Sequence, residues 1–467
     1  MKQNTIGNKI HFIGIGGSGM SPIAQIALHR GFDVSGSDIG DSATISQLRS
    51  LGAKIFLEHK KENISEERTI ILSSAIQNDN PEVVAAQELK YPIIHRSDFL
   101  SYLMKGKKVI TVAGTHGKTT TSAIIAHMLH KLNLSPTAAI GGKMVEYESS
   151  ALCGDGEFFV AEADESDGTL LKYESYISIL TNIDHDHMDF FKNFDEVLNL
   201  FSAYLKKTDP EGISIIGWDD SNSRNLGAEL TVPKLTYGTR LGSEVRAINH
   251  AYKAEKTTFT AIVERELVDC EFSLIGKHNV LNALCALAVA KYLNLNMADA
   301  AKSISSFKGV NRRLTPIFKS ENIKVYDDYA HNPGKIMASI DAIRYCHPKY
   351  KIYVVYQPHR FTRLDTMYNE TMASFKDADH VFVLPVYAAG EKALKAYSSK
   401  ALASDIQKIS GTNAEGLESF DECIDRLLGV SKERVVFLTV GAGDVFKISH
   451  KLGDLFNAKS KEKQDLL

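Results

Sequence analysis

Gly114-Thr115-His116-Gly117-Lys118-Thr119-Thr120-Thr121 is the stretch whose residue types and spacing could do chemistry most directly. It joins an apolar β-branched run, Val109 to Ala113, to Ser122–Leu129, where apolar residues recur at helical spacing. A strand, a glycine turn and a helix in that order aim backbone N–H groups and the positive end of a helix dipole at one point. A phosphate fits there. Lys118 adds a point charge and Thr119 a hydroxyl able to hold Mg2+. The general phosphate loop has a further glycine where this chain has Val112, so the loop is a shortened variant. A tight turn alone would explain the two glycines, but not Lys and Thr at the mouth of a helix.

Two acidic stretches follow strand-like runs. Glu157 to Ala161 leads into Glu162, Asp164, Glu165 and Asp167, and Tyr176 to Ile183 leads into Asp184-His185-Asp186-His187-Met188-Asp189. A charge run is usually a solvated face. In phosphate-loop folds, however, a neighbouring strand end delivers the carboxylate for Mg2+, which puts Glu162 where a metal ligand is needed. For the second stretch an exposed polar loop and a metal site both remain open.

These residues need scaffolding at both ends of the chain. Lys9 to Ile15 reads as a strand entering Gly14-Ile15-Gly16-Gly17-Ser18-Gly19, with helical periodicity from Met20 to His29. Asp33 to Ser37 reads as a second strand, ending at Asp38, the spacing at which such folds meet a ribose. NAD, FAD and a UDP-sugar all fit that pattern. Strands at Thr69–Leu72 and Pro92–Ile94 bring Ser74, His95 and Arg96 to the same rim, and Ser101–Lys108 reads as a linker.

Further on, Phe194–Lys206 reads as a helix and Thr231–Ile275 as a small extension of short strands. His278, Asn279 and Asn282 open a long apolar helix, where one of them would suffice as a cap. Beyond Arg312 and Arg313, strands alternate with helices as in a doubly wound parallel sheet. Their ends carry Asp328, Tyr329, His331, His359, Arg360, Arg363 and Glu391 on one rim, and the tail from Lys459 reads as frayed.

Length and composition bound the rest. A chain of 467 residues makes about three domains. The expected class is α/β: a Rossmann-like domain over 1–107, a phosphate-loop domain with a small β extension over 108–312, and a second Rossmann-like domain over 313–467. A net charge of −3 argues against nucleic acid as the main partner. Five cysteines without paired spacing fit reduced thiols. The expectation is a cytoplasmic soluble enzyme, since no signal-peptide core and no run of membrane-spanning length is seen.

Taken together, several motifs resemble the Mur ligases over essentially the whole chain. They are Gly14 to Pro22, Gly114 to Thr120, Glu162 to Asp167, Asp186 to Asp189, Gly276 to Asn279, Asp327 to Pro333 and Pro358 to Arg363. The N-terminal turn with Met20-Ser21-Pro22 and the loop Pro358-His359-Arg360-Phe361-Thr362-Arg363 narrow the likeness to the alanine-adding branch.

The resemblance implies an ATP-dependent amide ligation of UDP-N-acetylmuramate with L-alanine through an acyl phosphate. It implies that Lys118 binds the β- and γ-phosphates, with Gly114, Thr115, His116, Gly117, Thr119 and Thr120 around them. Thr119 and Glu162 are implied for one Mg2+, and Glu162 with His187 for a second. Asn279 and Asn282 fall to the adenine, and Arg313, Asp328 and Tyr329 to the nucleotide. His331, His359, Arg360 and Arg363 fall to alanine and the acyl phosphate. Gly16, Gly17, Ser18, Gly19, Asp38, Ser74, His95 and Arg96 fall to the UDP-sugar.

The chain departs from relatives that carry a carbamylated lysine, because that position falls about Phe201-Ser202-Ala203. Monomer and homodimer stay open. Three rivals remain: a ligase joining the same UDP-sugar to a tripeptide, a nicotinamide or flavin protein, and a phosphate-loop ATPase switch.

Overall fold

The computed structural model describes residues 6–465 except 65, 166–167, 186–190, 254–255, 393–396 and 432. Two compact units divide the chain. One comprises Met1–Ile183, Asp195–Val245 and Cys285–Ile304, the other Asp184–Phe194, Arg246–Leu284 and Ser305–Leu467.

The first unit holds two sheets. Five parallel strands run in the spatial order Lys54–Phe56, Asp33–Ser37, Lys9–Ile13, Thr69–Leu72 and Ile93–His95. The chain reverses its direction of travel between Lys9–Ile13 and Thr69–Leu72. In open α/β sheets that reversal opens a crevice at the carboxyl ends of the strands, and here the ends carry the glycine turn, Asp38, Ser74 and His95.

In the second sheet the phosphate-loop strand Lys108–Ala113 lies between Phe158–Glu162 and Ile177–Leu180, parallel to both. Strands Ile213–Gly217 and Lys234–Gly238 extend it on one side, and the Thr137–Met144/Ser149–Leu152 hairpin on the other. Every residue of Lys108–Ala113 except Lys108 is buried, as a strand covered on both faces requires.

The two sheets are stitched together by polar contacts. Ser149 Oγ donates to Gln25 Oε1 at 2.7 Å, and Lys172 Nζ lies 2.7 Å from Asp98 Oδ1. The linker expected over Ser101–Lys108 is shorter than the sequence suggests. A helix runs over Arg96–Met104 with Leu103 and Met104 buried, and the next strand starts at Lys108. Burial of the apolar face therefore outweighs the Lys105-Gly106-Lys107-Lys108 signal, which marks only the turn.

The second unit is built on six strands ordered Thr315–Lys319, Ile323–Asp328, Val435–Val440, Lys351–Tyr356, His380–Val383 and Asn413–Gly416. All neighbours are parallel except the first pair. Alternate residues face opposite cores: Val354, Tyr356, Leu438 and Val440 share one, Val355 and Phe437 the other. The antiparallel edge strand Thr315–Lys319 departs from the purely parallel sheet expected. The tail also departs from expectation, since Phe446–Asp465 is one helix and not a frayed end from Lys459. The hairpin Lys256–Val263/Glu266–Phe272 is antiparallel, with alternating buried positions and Phe259 edge-on to Phe272 at 6.1 Å. The chain thus has the three-domain α/β architecture expected of it.

Candidate functional site

Gly114 begins the phosphate loop at φ +123°, where a Cβ would stand 2.2 Å from Thr181 Oγ1. Only glycine fits there. Gly117, at φ +86°, turns the chain into the helix Lys118–Lys131. The loop is fastened to the end of the neighbouring strand. Thr115 N donates to Asn182 O at 3.0 Å and His116 N to Asn182 Oδ1 at 2.9 Å. Thr181 Oγ1 and Asn182 Nδ2 donate back to His116 O at 2.7 and 3.0 Å. Thr181 and Asn182 thus shape the cradle, a role invisible until strand order puts them beside it.

Lys118 Nζ donates to Gly114 O at 2.7 Å and to Glu165 at 2.7 and 3.0 Å. Burial alone would pull the ammonium down, but Glu165, Asp164 and Glu162 around it outweigh burial and raise its pKa, so Lys118 is charged. Thr119 Oγ1 donates to Glu162 Oε2 at 3.0 Å, and Gly141 N holds the other Glu162 oxygen. A hydroxyl and a carboxylate side by side form an all-oxygen donor pair suited to a hard cation such as Mg2+. Thr120 is buried in the first helical turn. His187 lies outside the described residues, and among the described residues no group of three His, Cys, Asp or Glu is placed to hold a metal.

Around the N-terminal turn, Asp38 accepts from Gly16 N at 2.9 Å and from Gly40 N at 3.2 Å, so it organises the turn through both oxygens. Gly17 N donates back to Gly14 O, and Ser18 is exposed at the tip of the turn. The Arg96 guanidinium lies over Gly19, where a Cβ would stand 3.1 Å from Nη1. Ser74 Oγ is 3.1 Å from His95 Nε2, and His95 Nδ1 accepts from Ser97 N at 3.3 Å. The structure therefore brings these residues onto one rim. His95 also caps the helix Arg96–Met104, so neither it nor Arg96 sits in a solvated loop.

In the second unit, Asn279 and Asn282 are buried, and neither is a simple cap. Asn279 Nδ2 donates to Ile275 O at 2.8 Å and Asn282 Nδ2 to Asn279 Oδ1 at 3.0 Å. Asp328 accepts from Leu314 N at 2.8 Å and Ala330 N at 2.7 Å; burial lifts its carboxyl to about 6, partly offset by Arg313. These bonds place Tyr329, whose ring carries the Arg312 and Arg313 guanidiniums at 4.8 and 5.3 Å.

His331 Nδ1 is 2.8 Å from Tyr329 O, a carbonyl that can only accept, which assigns a proton to Nδ1. The rings of His331 and His359 stand 6.1 Å apart, and His359 stacks on Tyr387 at 5.7 Å. Burial, then Arg363 and Arg360, pull the His359 imidazole down to about 4. The two arginines differ. Arg360 Nε is bound to Glu391 at 2.6 Å, whereas half-buried Arg363 has no ion-pair partner among the described residues.

Comparison with known proteins matches all three sheets in chain order. Residues 9–108 match the Mur ligase family catalytic domain, 112–290 the Mur ligase middle domain and 312–443 the Mur ligase glutamate ligase domain. The chain is 37% identical over 445 residues to UDP-N-acetylmuramate--L-alanine ligase of Geotalea uraniireducens (strain Rf4), covering 95% of this chain and 97% of that relative. It is 30% identical to a crystal structure of UDP-N-acetylmuramate-alanine ligase MurC from Thermotoga maritima, with TM-score 0.83 over 97% of this chain and 99% of that one. A murein peptide ligase from Psychrobacter arcticus 273-4 shares the fold at TM-score 0.71 and 21% identity, covering 96% and 98% of the two chains. The chain belongs to the Mur ligase family.

Proposed function

We propose that this chain joins L-alanine to the lactyl carboxylate of UDP-N-acetylmuramate using ATP, giving UDP-N-acetylmuramoyl-L-alanine, ADP and phosphate for peptidoglycan synthesis. The carboxylate attacks the γ-phosphate of ATP and ADP leaves. The alanine amine then adds to the acyl phosphate, loses a proton and expels phosphate. The observation that carries this reading is Lys118 and Thr119 at the loop beside Glu162 on the next strand, with Thr119 Oγ1 3.0 Å from Glu162. Near-full-length identity to alanine-adding relatives supports the choice of substrates.

Each group found has a task. Lys118 and the amides of Gly114 to Thr120 bind the β- and γ-phosphates and offset charge as the phosphoryl group moves. Thr119 and Glu162 would hold one Mg2+, and Glu162 with His187 a second; bound there, the ions would supply positive charge to the oxygens of two approaching anions. Asn279 and Asn282 are assigned to the adenine, and Arg313, Asp328 and Tyr329 to the nucleotide. The glycine turn, Asp38, Ser74, His95 and Arg96 take the UDP-sugar. His331, His359 and Arg363 orient alanine and the acyl phosphate, with Arg360 beside them. The proposed domain limits are 1–107, 108–312 and 313–467, and the proposed compartment is the cytoplasm. No helix of the described residues is long and apolar enough to cross a membrane.

The test is ADP release from the full chain with ATP, Mg2+ and UDP-N-acetylmuramate, with L-alanine, glycine, L-serine or the tripeptide supplied in turn. L-Alanine should give the fastest turnover. Faster turnover with tripeptide would overturn the choice of acceptor.

A further inference from the structure

Two neighbouring loops of the second unit are zipped together. Residues 357–363 follow the strand Lys351–Tyr356, and residues 384–391 follow His380–Val383. Tyr387 N donates to Pro358 O at 2.8 Å and Arg360 N to Tyr387 O at 2.9 Å, while the His359 and Tyr387 rings lie parallel within 9°.

Glu391 closes the zip. Its Oε1 accepts from Arg360 Nε at 2.6 Å and from Thr362 Oγ1 at 2.7 Å, and its Oε2 accepts from Thr362 N at 3.1 Å. One carboxylate thus takes three donors from the loop that carries His359 and Arg363. Arg360 itself sits at φ +66°, a conformation that L-residues seldom adopt unless their surroundings impose it. Ion pairing also separates the arginines, since Glu391 occupies Arg360 and leaves Arg363 without a carboxylate partner among the described residues.

We infer that Glu391 is the positioning residue of the amino-acid subsite: it binds Arg360 and Thr362, fixes the 358–363 loop, and so reserves Arg363 for the carboxylate of the incoming amino acid. This rests on the ligase reading above. Glu391 need not touch substrate. Its charge neutralises Arg360, so that a second cation does not compete for the carboxylate, and its three hydrogen bonds hold the strained turn in place.

The experiment compares Glu391→Ala and Glu391→Gln with the unaltered full chain, measuring KM separately for ATP, UDP-N-acetylmuramate and L-alanine. Glu391→Ala should raise the alanine KM by about tenfold or more while both nucleotide KM values and kcat at saturating alanine stay within about threefold. Glu391→Gln, which keeps an acceptor oxygen but no charge, should fall between. Uniform losses across all three substrates, or an unchanged alanine KM, would overturn the inference.

A nitrogen-15 NMR signal from the Arg360 Nε–H gives a readout independent of activity. It should exchange slowly in the unaltered chain and rapidly in Glu391→Gln; rapid exchange in the unaltered chain would show that the clamp is absent. A chain that ligates the tripeptide and not alanine would sink the acceptor reading alone, and the clamp would then be judged on the tripeptide KM and this signal.

Discussion

The Lys118 ammonium lies 2.7 Å from Oε2 of Glu165, a carboxylate whose side chain is 3% exposed. If Lys118 binds the ATP phosphates as proposed, Glu165 occupies the place beside the ammonium that a phosphate would take. Removing one partner of a buried pair strands the other charge, at a typical cost of about 3–5 kcal/mol. Asp164 and Glu162 still act on Lys118, so Glu165→Gln should lower nucleotide-free stability by about 1–3 kcal/mol. Saturating ADP replaces the lost charge, so the rise in Tm on adding ADP should be larger in the variant. An equal or smaller rise would show that Glu165 is not the stand-in.

Thr119, in the first turn of the helix Lys118–Lys131, and Glu162, at the end of the strand Phe158–Glu162, share a hydrogen bond of 3.0 Å. Glu162→Ala and Lys118→Ala should each lower formation of the acyl phosphate by about a hundredfold or more, with the fold retained. Positional isotope exchange in ATP, measured with UDP-N-acetylmuramate and no alanine, isolates that step. Exchange at the unaltered rate would remove both residues from phosphoryl transfer.

Gly114 and Gly429 make a matched pair of glycine tests. A Cβ on Gly114 would meet Thr181 Oγ1 at 2.2 Å at φ +123°, whereas one on Gly429, in the helix Phe420–Val430, meets nothing within 4 Å. Gly114→Ala should cost about 3 kcal/mol or more and abolish nucleotide binding. Gly429→Ala should leave activity unchanged and stabilise by about 0.5–1 kcal/mol. Thermal melts with nucleotide titrations decide both.

His359 is held down to about 4 by burial and by the cations Arg363 and Arg360. A histidine whose folded pKa is depressed favours the folded state above its unfolded value of about 6.5 and loses that contribution as pH falls through about 4. Its imidazole is therefore neutral at neutral pH, and NMR titration should place its midpoint near 4. A midpoint near the unfolded value would mean that the ring is not enclosed as described.

Much of this was legible because local patterns carried it. The glycine spacing, Lys118, Thr119 and the strand before them identify the phosphate loop without any tertiary information, and the helix Phe194–Lys206 falls where its apolar spacing put it. What stayed hidden depends on which strands become neighbours. Thr181 and Asn182 looked like an ordinary strand end until Ile177–Leu180 paired beside Lys108–Ala113. Glu165 looked like one more acid in a solvated run, yet it is buried against Lys118. Arg360 and Arg363 could not be told apart by type, since the partner that separates them lies 31 residues from Arg360. The edge strands Thr315–Lys319 and Asn413–Gly416 are short and carry Pro316 and Gly416, which mask a strand pattern.

The most direct test of the account follows the oxygen of the sugar carboxylate. With oxygen-18 in the lactyl carboxylate of UDP-N-acetylmuramate, and ATP, Mg2+ and L-alanine supplied, attack on the γ-phosphate transfers one labelled oxygen to the released phosphate in each turnover. The account predicts that stoichiometric label in phosphate, together with UDP-N-acetylmuramoyl-L-alanine as product. Phosphate released without label would contradict carboxylate activation at Lys118.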